Sequence, residues 1–204
     1  MKNYDWQEPK QKPYALYIHG LGSSAKSGTK SSFGKYFDDY EWLSPEITHD
    51  PYESLQILNE WAEAFHPALV AGTSMGGMLT TYVNAPDAMK IAVNPTMEME
   101  HVLRKLGYGK HQYLQEREDG ATQYLITEQL VRRFIAFRSE HETILGRRNI
   151  VLLSSDDEVV GKEISKHNAA LLEDKGWEIV WCSKFGHRLN EPAVKYLLQY
   201  INTH

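Results

Sequence analysis

The chain has 204 residues, 42% of them hydrophobic, which suits one soluble domain with a full core. A net charge of −5 without a long basic run argues against nucleic acid or an anionic membrane as the main partner. No stretch approaches the ~20 apolar residues of a membrane helix. The polar segment Met1 to Lys12 does not read as a signal peptide, and a single cysteine, Cys182, cannot form an internal disulfide, so the expectation is a cytoplasmic protein.

In chain order, Tyr14 to His19 reads as a buried strand running into Gly20-Leu21-Gly22-Ser23-Ser24. A helix is expected around Gly28 to Phe37 and a short strand over Glu41 to Pro45. Asp50-Pro51-Tyr52-Glu53 supplies an N-cap, an N1 proline and a capping-box acid. The helix behind it carries Leu55, Leu58, Trp61, Ala62 and Phe65 at helical spacing and ends near His66-Pro67. The apolar run Ala68-Leu69-Val70-Ala71 is a strand, Gly72-Thr73-Ser74-Met75-Gly76 a sharp turn, and Met75 to Val83 a helix. Lys90 to Asn94 is a further short strand.

Thr96 to Arg148 is too long for one strand-helix repeat. It holds Met97, Met99, Val102, Leu103 and Leu106, a polar patch from Gly107 to Gly120, and a helix expected over about Thr122 to Glu140 with Leu125, Leu130, Phe134 and Phe137. Residues 96–148 therefore read as a helical insertion, either a small cap over the sheet's carboxyl edge or a long crossover packed on the sheet. Met97, Met99, Tyr108 and Tyr113 are candidates for a pocket lining or for the core.

Asn149 to Leu153 is a buried strand ending in Ser154-Ser155-Asp156-Asp157-Glu158-Val159-Val160. Trp177 to Cys182 is the last strand, followed by Gly186-His187-Arg188. Asn190-Glu191-Pro192 starts a terminal helix with Val194, Leu197, Leu198 and Ile201 on one face. Alternating strands and helices predict an α/β fold, a three-layer α/β/α sandwich with a mainly parallel sheet of about six strands in a single domain.

The strand, turn and helix around Ser74 form a nucleophile elbow, in which neighbouring glycines relieve crowding at a strained serine. The competing reading is an ordinary turn with a serine N-cap. Acyl transfer also needs amides aimed at the developing oxyanion. Met75, after the nucleophile, and Leu21, in the loop after the first strand, are the candidates. A base must take the serine proton, and His187 is placed to do so. An acid must orient the imidazole, a role assigned to Asp157 over Asp156. The plainer reading makes Asp156, Asp157 and Glu158 caps for the next helix. Serine, acid and histidine occur in that order, each just past a strand's carboxyl end.

On these residues the chain resembles the α/β-hydrolases, and among them the small bacterial YqiA/YcfP-type esterases. The matching segments are Tyr17-Ile18-His19-Gly20-Leu21-Gly22-Ser23-Ser24 with Ser27 and Lys30, Gly72-Thr73-Ser74-Met75-Gly76-Gly77, Asn94-Pro95, Asp157-Glu158-Val159 and Gly186-His187. The chain departs at Leu21-Gly22, where members often carry Phe-Asn, and at Asp156, where they tend to carry Gly. The resemblance implies a serine hydrolase acting on a small-molecule ester or thioester, with Ser74, Asp157 and His187 as its triad, and the small size and limited cap suggest a short acyl group. No cofactor is expected. Gly20-Leu21-Gly22-Ser23-Ser24-Ala25 fits a dinucleotide pattern, but Glu46 is only a loose match for its acid. No metal is expected either, since His141-Glu142 lacks a second histidine at the required spacing. The alternative from another class is a non-catalytic ligand-binding protein on the same fold.

Overall fold

The computed structural model describes residues 11–183 and 185–204. Residues 1–10, on which most of the leader reading rests, lie outside them. Six strands form one parallel sheet: β1 (Tyr14–Ile18), β2 (Glu41–Leu43), β3 (Leu69–Thr73), β4 (Met89–Val93), β7 (Arg148–Ser154) and β8 (Glu178–Cys182). A separate antiparallel pair, β5 (Gly109–Gln112) and β6 (Gln123–Ile126), lies between β4 and β7 in the chain. The sheet order is β2-β1-β3-β4-β7-β8. The chain leaves β1 for the β2 edge, then returns across β1 to build outward from β3. The crevice at the carboxyl ends of β1 and β3 is therefore the switch point where α/β sheets form their sites.

Helices cover both faces because the inner strands alternate between two cores. Leu16, Ile18, Val70, Ala92, Val151 and Leu153 pack on one side. There they meet α2 (Pro51–Phe65), α3 (Met75–Thr80), α4 (Met99–Leu106), α5 (Glu128–Glu140) and α6 (Lys162–Glu173). Ala15, Tyr17, Leu69, Ala71, Ile91, Ile150 and Leu152 pack on the other side, against α1 (Gly28–Tyr36) and α7 (Glu191–Thr203). This is the expected three-layer sandwich. The Asp50 carboxylate accepts from the Tyr52 and Glu53 amides at 3.0 and 3.3 Å. His66, in the left-handed region at φ 44°, closes the same helix, and Asn190 caps α7 by accepting from Ala193 N at 3.0 Å. Among the described residues no helix is long and apolar enough to cross a membrane.

The structure departs from expectation in the 96–148 segment. The helix expected from Thr122 begins only at Glu128, and residues 123–126 pair with 109–112 as a hairpin. Tyr124 and Ile126 point inward while Leu125, assigned to the helix's apolar face, is 47% exposed. The period there is two, and over four residues it is indistinguishable from part of a helical stripe. The break was marked by Thr127, whose Oγ1 accepts from Leu130 N at 3.0 Å as the N-cap of α5. The segment's helices, through Leu103, Leu130, Val131, Phe134 and Phe137, join the core on the α2 side. The chain between the hairpin strands reaches the loop after β1, where Leu114 N donates to Gly22 O at 2.7 Å. The helix after the elbow is also shorter than expected and ends at Thr80.

Lys90, on β4, is fully buried. Its Nζ donates to Val83 O at 2.6 Å and Ile144 O at 2.7 Å, and burial pushes its pKa down to about 8. The unfolded chain therefore binds this proton more tightly than the folded one, so protonation below pH 8 destabilises the fold and rising pH relieves it. Unfolding free energy should climb by about 2 kcal/mol between pH 7.5 and 9.5. Above that window ionising tyrosines act in the opposite sense, since burial raises the pKa of both Tyr17 and Tyr82. Urea midpoints across the window check this. Lys90→Met should flatten the rise, and an equal rise in that variant would remove Lys90 as its source.

Candidate active site

Ser74 stands at the end of β3 with φ 57° and ψ −120°, a strained conformation that costs on the order of 1–3 kcal/mol. Close packing of its neighbours holds it there. A Cβ on Gly72 would lie 2.2 Å from Gly76 O, and one on Gly76 would lie 2.1 Å from Ile18 O. The absence of side chains lets α3 run directly against β1 and β3. Ser74 N donates to Val93 O at 2.9 Å, and Ser74 O accepts from Met78 N at 2.9 Å. The serine side chain makes no N-cap bond to α3, which leaves its hydroxyl available to other partners.

That hydroxyl lies 3.0 Å from Nε2 of His187. On the other side of the ring, Nδ1 is 3.0 and 2.9 Å from the two oxygens of Asp157. The Asp157 side chain is almost wholly buried. Burial pushes its pKa up, but the His187 bond and charge and the amides of Val160 and Val159 outweigh it and hold the carboxyl below its ordinary range. Both amides donate to Oδ1 at 2.9 Å. Asp157 therefore ends the turn after β7, while the N-cap of α6 is Gly161 and carries no side-chain cap bond. Asp156 is exposed, and its amide donates to Ser154 Oγ at 3.0 Å. The structure thus brings together Ser74, Asp157 and His187, and leaves Asp156 outside the relay.

Residues that the elbow and triad motifs do not contain hold the histidine loop in place. Asn94 Nδ2 donates to the carbonyls of Gly186 and His187 at 3.1 and 3.0 Å, and its Oδ1 accepts from Ser154 N at 2.8 Å. Asn94 is buried and adopts φ 41°, a conformation asparagine tolerates better than most residues. Ser154 Oγ donates to Phe185 O. Glu158 Oε2 accepts from His187 N at 2.8 Å. Asn94 is thus a positioning residue joining the ends of β4 and β7 to the loop after β8. Its sequence signals were its place at the end of the expected strand Lys90 to Asn94 and the Asn94-Pro95 match to the family, neither of which indicates the contact with the His187 loop.

Among the described residues neither Leu21 N nor Met75 N donates a hydrogen bond. Met75 is the first residue of α3, where amides lack an intrahelical acceptor. The loop carrying Leu21 rests on a buried charge network. His19 Nδ1 is 3.0 Å from Gly20 O, and its Nε2 is 3.0 Å from Glu46 Oε1. Glu46 also pairs with Arg117 at 3.0 Å and accepts from the amides of Ala25 and Glu118 at 3.1 and 3.0 Å. Burial raises the Glu46 pKa, but His19, the Glu118 amide and Arg117 bring it below its ordinary range. The carboxylate that loosely matched a dinucleotide acid is thus already engaged on both oxygens. Arg117 comes from the segment after β5 and stacks over Tyr113 at 4.4 Å.

Of the four residues weighed for a pocket lining, Met97 and Met99 are buried in the core and Tyr108 is 57% exposed. Tyr113 packs against the core beneath Arg117. Glu98, Glu100 and His101 offer metal-ligand atoms within 4.8 Å of one another. Arg138 already donates to Glu98 and Glu100 at 3.0 and 2.6 Å and supplies their counter-charge.

The sequence matches an uncharacterised protein family, UPF0227, over residues 14–201. No curated protein matches it. Solved structures resemble it in fold. The esterase domain of a Rhodothermus marinus protein is 19% identical, with a TM-score of 0.60 over 94% of this chain and 86% of that one. Est1E from Butyrivibrio proteoclasticus is 14% identical, with a TM-score of 0.64 over 96% and 91%. Mouse alpha/beta hydrolase domain-containing protein 10 is 11% identical, with a TM-score of 0.63 over 94% and 89%. At these identities the likeness establishes the α/β-hydrolase fold.

Proposed function

The chain belongs to UPF0227, the YqiA/YcfP-type family, and from that premise we propose that it is a serine hydrolase cleaving a small carboxylic ester or thioester through an acyl-enzyme. The observation that carries this reading is the unbroken relay from Asp157 through His187 to Ser74, at 2.9 and 3.0 Å, ending on a strained serine. In this mechanism His187 Nε2 takes the hydroxyl proton as Ser74 Oγ bonds to the acyl carbon. The carbonyl electron pair moves onto oxygen, which the Leu21 and Met75 amides receive. Asp157, held ionised, stabilises the imidazolium and keeps Nδ1 as the proton-bearing nitrogen. Collapse expels the alcohol or thiol, which takes the proton from Nε2. Water then repeats the sequence and releases the acid. The segment between β5 and β6 acts as a small cap over the Leu21 loop, through Arg117 and the Leu114–Gly22 bond. The names borne by two of the similar structures, esterase domain and Est1E, agree with this chemistry.

The test is covalent. A fluorophosphonate should label the native chain stoichiometrically at Ser74, and should label neither the Ser74→Ala variant nor the urea-unfolded chain, since only an activated serine reacts quickly. Equal slow labelling of all three, read by mass spectrometry, would turn the reading to a ligand-binding protein on this fold.

A further inference from the structure

Beside the nucleophile, α4, the turn after Asp157 and α6 form a half-open cavity of about 160 Å³. Thr96, Val102, Val159, Val160 and Ile164 line it, and Lys105 reaches across it, with Nζ donating to Val159 O at 3.2 Å. Three observations tie this cavity to the chemistry. Thr96 Oγ1 is 3.4 Å from Ser74 Oγ. Val159 and Val160 are the residues whose amides hold the Asp157 carboxylate, so wall and acid form one unit. Val102 and Ile164 belong to the helical layer opposite the one that carries α7, into which the His187 loop leads.

These placements give the cavity a direction. A tetrahedral centre on Ser74 turns its oxyanion towards the Leu21 loop, at the end of β1. Its leaving group must reach His187 Nε2, between β8 and α7. The direction left for the acyl substituent is that of Thr96, past the end of β4, where the cavity lies. Beyond Thr96 the lining is apolar at Val102, Val159, Val160 and Ile164 and charged or polar at half-buried Glu98 and exposed His101 and Lys105; the apolar part suits a hydrocarbon chain, and a second carboxylate would find no buried counter-charge there. At ~30 Å³ per water-sized atom it holds about five heavy atoms.

We propose that this cavity is the acyl pocket and that it takes an unsubstituted aliphatic acyl group of about four to six carbons. The inference rests on the serine-hydrolase reading and adds the chain length and the residues that set it.

The experiment measures kcat/KM for p-nitrophenyl acetate, butyrate, hexanoate and decanoate. Wild type should peak at butyrate or hexanoate and fall about tenfold or more at decanoate, as expected where a pocket ends. Val102→Trp, which fills the cavity, should lower the butyrate-to-acetate ratio about tenfold or more. Ile164→Ala, which lengthens it, should raise the decanoate-to-butyrate ratio by a similar factor. Ratios within about twofold of wild type in both variants would overturn the assignment. Should Ser74→Ala cleave acetate as fast as wild type, the serine-hydrolase reading fails by itself. The pocket is then read from calorimetric binding of ethyl butyrate to the Ser74→Ala chain. Binding lost on adding Val102→Trp would still support the cavity as an acyl site, and binding unchanged by that substitution would refute it.

Discussion

Alanine at Ser74 or at His187 is expected to cut turnover of a short-chain p-nitrophenyl ester by about 10⁴ to 10⁶, with the double variant scarcely worse than either single one. The reason for non-additivity is geometric. The hydroxyl and Nε2 share one 3.0 Å contact, and a base with no hydroxyl to deprotonate is as idle as a hydroxyl with no base. Asp157→Asn should cost about 10⁴, because the amide can present its NH₂ to Nδ1 and stabilise the wrong tautomer. Asp156→Asn should leave turnover close to wild type, since Asp156 is exposed and its backbone amide makes the local bond to Ser154. This pair of substitutions separates the two candidate acids directly. Loss of turnover at Asp156 with retention at Asp157 would reverse the assignment. Equal residual rates in wild type, Ser74→Ala and His187→Ala would mean that this constellation performs no ester hydrolysis.

The second large effect is on stability. Gly76→Ala is expected to cost about 4 kcal/mol or more, or to prevent folding, although alanine is the better helix former. Its Cβ would sit 2.1 Å from Ile18 O and 2.6 Å from His19 O. Both are backbone atoms of the strand end that leads to Leu21, and neither can rotate away. Relief requires α3 to lift off β1, which also moves the Met75 amide from the Leu21 amide. Gly28 is the control. It opens α1, and a Cβ there would meet nothing within 4 Å. Gly28→Ala should be neutral or stabilising by about 0.4–1 kcal/mol. Urea unfolding of both variants checks the contrast. A Gly76→Ala chain as stable as wild type would mean that the elbow is looser than its contacts indicate.

Local signals carry the parts of the fold that depend on neighbours in the chain. Asp50-Pro51 and Asn190-Glu191-Pro192 cap helices where the sequence places them, because a cap needs only amides two or three residues away. Strands β1, β3, β4 and β7 are legible as apolar runs because a sheet covered on both faces buries every residue of its central strands. The β5–β6 hairpin is not. Its strands have four residues each, and pairing across ten intervening residues leaves no mark on either strand alone. The choice between pocket and core at Met97 and Met99 stays open in the sequence for a related reason. Met97 and Met99 are apolar and close to the site in sequence, yet the helical layer draws them into the core, while Val102 and Val159, from elements far apart in the chain, meet across the cavity.

The sequence by itself determined the α/β class, the order of serine, acid and histidine, and the glycines that a sharp elbow demands. Each of these depends on local backbone geometry and on burial period. The sequence favours Asp157 over Asp156, but which of the two faces His187 is fixed only in the tertiary structure, because consecutive residues of a turn point in different directions. The tertiary structure also revealed that Asn94, Ser154 and Glu158 hold the His187 loop, and that His19, Glu46 and Arg117 support the loop carrying Leu21. Those contacts join residues 27 to 93 positions apart, and long-range polar pairing leaves no periodic trace in a single sequence.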